Sequence, residues 1–167
     1  MTYLVLGLAR SGRAAALALA RRGDRVVAVD RSAEADTGRL AEAGVEVHLG
    51  TEELTLLEGV DVLIKSPGVP SEAPLVSAAR ERGIPVWSEI ELGGRLLSTP
   101  ILGVTGTNGK TTTTALLGEM LGAPVAGNIG RALTELDDEG RWIVCELSSF
   151  QLEDIHEFRP RIAVLLN

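Results

Sequence analysis

The 167-residue sequence predicts an α/β protein built on parallel sheets. Short runs of valine, leucine and isoleucine alternate with alanine- and leucine-rich stretches of helical length, which is the rhythm of βαβ units. Nineteen glycines mark frequent tight turns, while aromatic residues make up only 3% of the chain. A glycine-rich segment, Thr105-Gly106-Thr107-Asn108-Gly109-Lys110-Thr111, stands between an apolar run and a helical one, a position suited to holding phosphate.

In chain order, the apolar runs predict strands over residues 3–6, 25–29, 45–49, 60–64 and 86–87, with helices over 11–22, 37–43 and 73–82. A helical segment over 89–97 should stop at Ser98-Thr99-Pro100, because proline disfavours helical backbone in the residue before it. The domain boundary is expected there, dividing the chain into residues 1–97 and 98–167. A second series follows: strand 101–104, the glycine-rich loop, helix 111–121, and strands 125–126, 142–146 and 162–166. Since the chain stops on that last apolar run, the second domain reads as incomplete and the chain as a fragment of a longer protein.

Composition narrows the function. Hydrophobic residues make up 45% of the sequence, enough for a packed core. Sixteen basic against twenty-three acidic residues give a net charge of −7, so no broad basic surface is available for nucleic acid or acidic lipid. No apolar stretch approaches the ~20 residues needed to span a bilayer, and the N-terminal run is broken by Arg10 with no basic region before it. The single cysteine, Cys145, cannot form an internal disulfide, and no Cys/His pairs stand at zinc spacing; a reducing cytoplasm fits best. Cys145 reads as core, and His48 and His156 as surface residues without catalytic partners. A monomer is expected.

The strict G-x-x-x-x-G-K-[ST] pattern is not met, because Val104 occupies the first glycine position. The core G-x-x-G-K-T survives, and its chemistry with it. Glycines let backbone N–H groups turn toward phosphate oxygens, and the helix N-terminus adds partial positive charge. Gly106, Thr107, Asn108, Gly109, Lys110, Thr111 and Thr112 would surround the phosphates of ATP, with Lys110 against the β and γ groups and the Thr111 hydroxyl on Mg²⁺. Fourteen of the sixteen basic residues are arginine, so a lysine here runs against the chain's habit; phosphate loops use its compact point charge. An ordinary glycine-rich turn with a solvent lysine is the alternative.

Gly7-Leu8-Ala9-Arg10-Ser11-Gly12 is close to the dinucleotide fingerprint G-x-G-x-x-G, with Ala9 replacing the middle glycine and Asp30 ending the second strand. The domain is therefore expected to be Rossmann-like. Loss of the middle glycine leaves less room for a pyrophosphate, which favours a diphosphate ligand other than NAD; a plain tight turn remains the alternative. Ser66-Pro67-Gly68 follows the fourth strand and should reach the same carboxyl edge as Gly7 and Asp30. Glu146 closes the run Trp142-Ile143-Val144-Cys145, where phosphate-loop enzymes place an acid that holds Mg²⁺; a surface carboxylate is the alternative. Asn128, in Gly127-Asn128-Ile129-Gly130, reads by itself as a turn residue.

Taken together, these residues make the chain resemble the Mur ligases, amide-forming enzymes of peptidoglycan synthesis that use ATP. Gly106-Thr107-Asn108-Gly109-Lys110-Thr111-Thr112 is similar to the family's shortened phosphate loop. Gly127-Asn128-Ile129-Gly130, and especially Glu146-Leu147-Ser148-Ser149-Phe150-Gln151-Leu152-Glu153, resemble the branch that adds D-glutamate to UDP-N-acetylmuramoyl-L-alanine. The resemblance covers the first of the family's three domains and the start of its ATPase domain. It implies Lys110 and Glu146 as catalytic residues, with Thr111 and Glu146 as metal ligands. It also implies that Ala9, Arg10 and Ser11 lie near the uridine diphosphate, Asp30, Arg31, Ser66 and Gly68 around the nucleotide, and Asn128, Ser148 and Gln151 on the muramoyl part. Such a fragment alone would be inactive. The alternatives are a sister Mur ligase, a folylpolyglutamate-type ligase and, in a different class, a nucleotide-sensing Rossmann domain or a non-catalytic scaffold descended from a ligase.

Overall fold

Thr2–Leu6 forms β1, whose residues Tyr3 to Leu6 are all buried, because a central parallel strand is covered on both faces and carries apolar side chains without alternation. A computed structural model describes residues 1–138 and 140–167. The chain divides into two compact units, Met1–Glu89 and Ile90–Asn167.

In the first unit β1 is followed by α1 (Arg10–Arg21), β2 (Arg25–Asp30), β3 (Glu46–Leu49), β4 (Val62–Lys65), α2 (Pro74–Glu81) and β5 (Val86–Ser88). The strands pair in the order β3-β2-β1-β4-β5, and every pairing is parallel. This is the Rossmann-like sheet expected from the sequence. The order reverses at β1, so a crevice opens where the loops after β1 and β4 diverge, the place where open α/β sheets take ligands. Helix α1 turns Gly12, Ala14, Ala15, Ala16, Ala18 and Leu19 inward, and these mostly small side chains let it lie close to the sheet. Pro74 sits at the start of α2, where its missing N–H removes no helical bond. Leu4, Leu6, Val27, Leu63, Leu75 and Val76 form the centre of the core.

Two local expectations fail here. Residues 37–43 form turns and not a helix, with only Leu40 buried. Gly38 stands at φ 50°, a left-handed conformation that a right-handed helix cannot include. The fourth strand begins at Val62 and not at residue 60, after a 3₁₀ turn, Leu54–Leu57, that the sequence did not signal.

Helix α3 (Glu89–Leu96) belongs to the second unit from Ile90 onward, so the division falls after its first residue and not after residue 97. The cause is Glu91. Its fully buried carboxylate accepts the backbone N–H groups of His156 at 2.7 Å, Glu157 at 3.1 Å and Phe158 at 2.9 Å, and the Arg95 guanidinium at 2.7 Å. Burial alone would push this carboxyl up, but the bonds from His156, Phe158, Glu157 and Arg95 outweigh it and hold Glu91 below the usual carboxylate range.

The unit continues through β6 (Ile101–Thr105), α4 (Lys110–Leu121), β7 (Val125–Gly127), the 3₁₀ turn Leu133–Glu135, β8 (Ile143–Glu146), α5 (Ser149–Leu152) and β9 (Ile162–Leu165). Its sheet is also wholly parallel, ordered β7-β8-β6-β9. Among the described residues, no helix is long and apolar enough to cross a membrane.

Candidate functional site

The glycine-rich loop joins β6 to α4 at the carboxyl edge of the second sheet. Gly109 precedes the helix at φ 80°, a left-handed conformation that glycine adopts without a Cβ penalty and that turns the chain directly into the helix. The helical ladder starts with the Thr113 N–H on Gly109 O at 3.0 Å. The N–H groups of Lys110, Thr111 and Thr112 therefore have no intrahelical acceptor, and they lie at the positive end of the helix dipole. Lys110 folds over the loop, its Nζ donating to Gly106 O at 2.7 Å and Thr107 O at 3.1 Å.

Glu146 ends β8 beside this loop because β8 pairs directly with β6, in a register that sets Val104 opposite Glu146. Only 1% of the residue is exposed. Its Oε2 accepts the Thr111 hydroxyl at 2.9 Å and its Oε1 accepts the Asn128 side-chain amide at 2.7 Å. Asn128 is held in turn by its own N–H on Glu146 O at 2.9 Å. Thus Thr111, Asn128 and Glu146, which the sequence singled out separately, form one hydrogen-bonded cluster, while Lys110, the residue before Thr111, is bonded to the loop carbonyls.

The donor set suits a hard divalent cation: a carboxylate and a hydroxyl lie together next to a phosphate-shaped loop. Among the described residues, no group of three or more His, Cys, Asp or Glu side chains could hold a metal. A cation here would complete its coordination with phosphate oxygens and water, which is how Mg²⁺ sits in phosphate-loop sites.

Ser148 and Gln151 lie just beyond, and the structure gives them a local task. The Ser148 hydroxyl accepts the Gln151 N–H at 3.3 Å, and the Gln151 side chain accepts the Ser148 N–H at 3.0 Å. This is a capping box at the start of α5, and it buries Gln151. The S-x-x-Q spacing was visible in the sequence and could have revealed that short helix.

The first unit brings its three candidate loops together at the carboxyl edge. Asp30 accepts the Leu8 N–H at 2.6 Å on one oxygen and the Ser32 N–H at 2.8 Å on the other. Ser66 is buried and donates its hydroxyl to Gly7 O at 2.6 Å. At Gly12 the backbone passes so close that a Cβ would collide with Gly7 O and stand 2.6 Å from Ser66 Oγ; only glycine allows this approach of helix to strand. Ala9 and Arg10 are exposed at the start of α1 with Ser11 half-buried beside them, and Arg31 is exposed just after β2. Gly68 faces open space, so its loop makes no steric demand for glycine.

Cys145 is free and buried, as read from the sequence. His48 pairs with Glu46 at 2.8 Å on β3. One residue of the loop site was missed entirely: Asn167, whose side-chain oxygen accepts the N–H groups of Thr107 at 3.0 Å and Asn108 at 2.9 Å. Its only signal was a polar residue ending an apolar run.

Residues 1–88 match the family model described as Mur ligase MurD-like, N-terminal domain. The chain is 47% identical to a UDP-N-acetylmuramoylalanine--D-glutamate ligase of Bacillus velezensis, over 99% of this chain and 40% of that protein. Enzymes of the same name from Geobacter metallireducens and Anaeromyxobacter dehalogenans are 49% and 48% identical over 98% of the chain. The chain spans about two fifths of the length of these relatives. Among solved structures, a murein peptide ligase from Psychrobacter arcticus aligns with TM-score 0.64 at 20% identity, over 99% of this chain and 42% of that one. A UDP-N-acetylmuramate-alanine ligase from Thermotoga maritima aligns with TM-score 0.57 at 23% identity, over 98% and 40%. These structures share the fold.

Proposed function

The chain belongs to the Mur ligase family, MurD-like in its N-terminal domain, and from that membership we propose that it is part of an ATP-dependent carboxylate–amine ligase. The reaction is the addition of D-glutamate to UDP-N-acetylmuramoyl-L-alanine in the cytoplasm, a step of peptidoglycan synthesis. The relatives' names support the substrates, and the observation that carries the chemistry is the cluster of Thr111, Glu146 and Asn128 beside Lys110. In this reading the first unit binds the uridine nucleotide and the second binds ATP.

A carboxylate at neutral pH is a poor electrophile, so the alanine carboxylate first takes the γ-phosphoryl group of ATP, giving an acyl phosphate and ADP. The amine of D-glutamate then attacks the acyl carbon, and the tetrahedral intermediate expels phosphate to leave the amide. Lys110 moves its ammonium from the loop carbonyls to the β and γ phosphates and stabilises charge on the transferring group. Thr111 and Glu146 would hold Mg²⁺. The Thr111 hydroxyl can keep its proton on Glu146 while its oxygen lone pairs serve as a ligand. When bound, Mg²⁺ neutralises phosphate charge during transfer. Asn128 fixes the Glu146 carboxylate from the other side.

In the first unit, the first-turn N–H groups of α1 around Arg10 and Ser11 offer donors for the diphosphate, in a loop braced by Asp30 and Ser66. The test is phosphate release by the full-length protein. Release from ATP should require UDP-N-acetylmuramoyl-L-alanine and D-glutamate together; no release with that pair, or equal release with other amino acids, overturns the proposal.

A further inference from the structure

Asn167 contacts the phosphate loop through both its side chain and its backbone. Its Oδ1 accepts two successive loop N–H groups, Thr107 at 3.0 Å and Asn108 at 2.9 Å, and its Nδ2 donates to Asn108 O at 3.4 Å. The Thr107 N–H also reaches the backbone oxygen of Asn167 at 3.2 Å, and the Leu166 N–H bonds Thr105 O at 3.0 Å. Asn167 therefore extends the β9–β6 pairing past the end of the sheet and onto the loop.

We propose that Asn167 is a positioning residue for the nucleotide site, a neutral clamp that holds the loop backbone in its phosphate-receiving shape. The inference rests on the ATP reading given above. Thr107 and Asn108 are exposed, and without a clamp their N–H groups would turn to water and the loop would sample other conformations. Ordering it would then be charged against nucleotide binding. Clamping these two amides leaves the N–H groups of Lys110, Thr111 and Thr112 at the helix start directed to the ligand.

The side chain's chemistry fits this task. An amide accepts two N–H bonds and donates one, which aspartate cannot do, and it brings no negative charge next to a triphosphate. Backbone pairing on both sides argues against a plug that swings away when phosphate arrives.

The test uses the full-length protein with Asn167→Ala and Asn167→Asp. Removing two neutral hydrogen bonds should raise the dissociation constant for Mg·ATP about tenfold. The KM for ATP should rise in parallel, with kcat at saturating ATP and affinity for the uridine nucleotide unchanged. Hydrogen exchange over residues 105–112 should accelerate in the alanine variant. Asn167→Asp should bind Mg·ATP more weakly than Asn167→Ala, and the difference should shrink as salt is raised. Unchanged or tighter Mg·ATP binding in Asn167→Ala overturns the clamp. So does a joint loss of ATP and uridine-nucleotide binding with a lower unfolding midpoint, which would mark a folding residue. If the wild type binds no Mg·ATP, the ATP reading falls on its own, while unchanged exchange over 105–112 would still sink the clamp.

Discussion

The hydroxyl of Thr111 donates to Oε2 of Glu146 across 2.9 Å, tying the first turn of the helix after the phosphate loop to the end of the neighbouring strand. The two residues are far apart in sequence. Parallel pairing of β6 with β8 brings their carboxyl ends side by side, so the loop after one strand meets the acid that ends the other. The Glu146 carboxylate is nearly sealed from solvent, and in the proposed reaction it would meet a cation there.

Replacing Glu146 by glutamine keeps its size and one acceptor but removes the charge. Activity of the full-length protein should fall on the order of 10- to 100-fold, and the Mg²⁺ concentration for half-maximal phosphate release should rise. A Mg²⁺ titration of phosphate release checks both. An unchanged Mg²⁺ requirement would mean that Glu146 does not hold the cation.

Lys110→Ala separates the two units. The ammonium now on Gly106 O and Thr107 O is the charge assigned to the β and γ phosphates. ATP turnover should be lost while uridine-nucleotide binding, assigned to the first unit, persists. Calorimetry with each ligand in turn is the measurement; loss of both would contradict separate sites.

The parallel character of the sheets was legible because it follows from the alternation of short apolar runs with helical stretches. Gly7, Gly12, Gly106 and Gly109 stood out because each marks a place where backbone must turn or pass close. What stayed hidden depends on tertiary partners. Glu91 looked like any helical glutamate, yet its buried carboxylate binds residues 156–158 and ties α3 to the second unit from Ile90 onward. Residues 37–43 had helical composition, but only Leu40 among them is buried and Gly38 takes a left-handed φ of 50°. Asn167 carries no motif, and its role appears only once β9 lies beside β6.

Gly12→Ala tests the first unit. The added methyl would collide with Gly7 O and with the hydroxyl that Ser66 gives to Gly7, so α1 must move away from the sheet. Overpacking of this kind typically costs about 1–3 kcal/mol. The urea midpoint should fall accordingly, and uridine-nucleotide affinity should fall with it because the loop over residues 7–12 is displaced. Gly68→Ala is the control: its Cβ would meet nothing within 4 Å, so stability should hold.

Glu91 makes stability depend on pH with a defined sign. Burial pushes its carboxyl up, but the N–H groups of His156, Phe158 and Glu157 together with Arg95 pull it further down, so its folded pKa lies below the ordinary 4.5. The folded state thus favours the ionised form. Its contribution is complete above the unfolded value and is lost as pH falls through the folded one. At neutral pH, Glu91→Gln should lose about 2 kcal/mol or more, since hydrogen bonds to a buried charge are replaced by bonds to a neutral amide. Urea midpoints for wild type and variant should then converge as pH is lowered from about 5 toward 3, because protonation removes from the wild type what the substitution has already removed. A gap that stayed constant over that range would show that the Glu91 charge does not hold α3 to the segment 156–158.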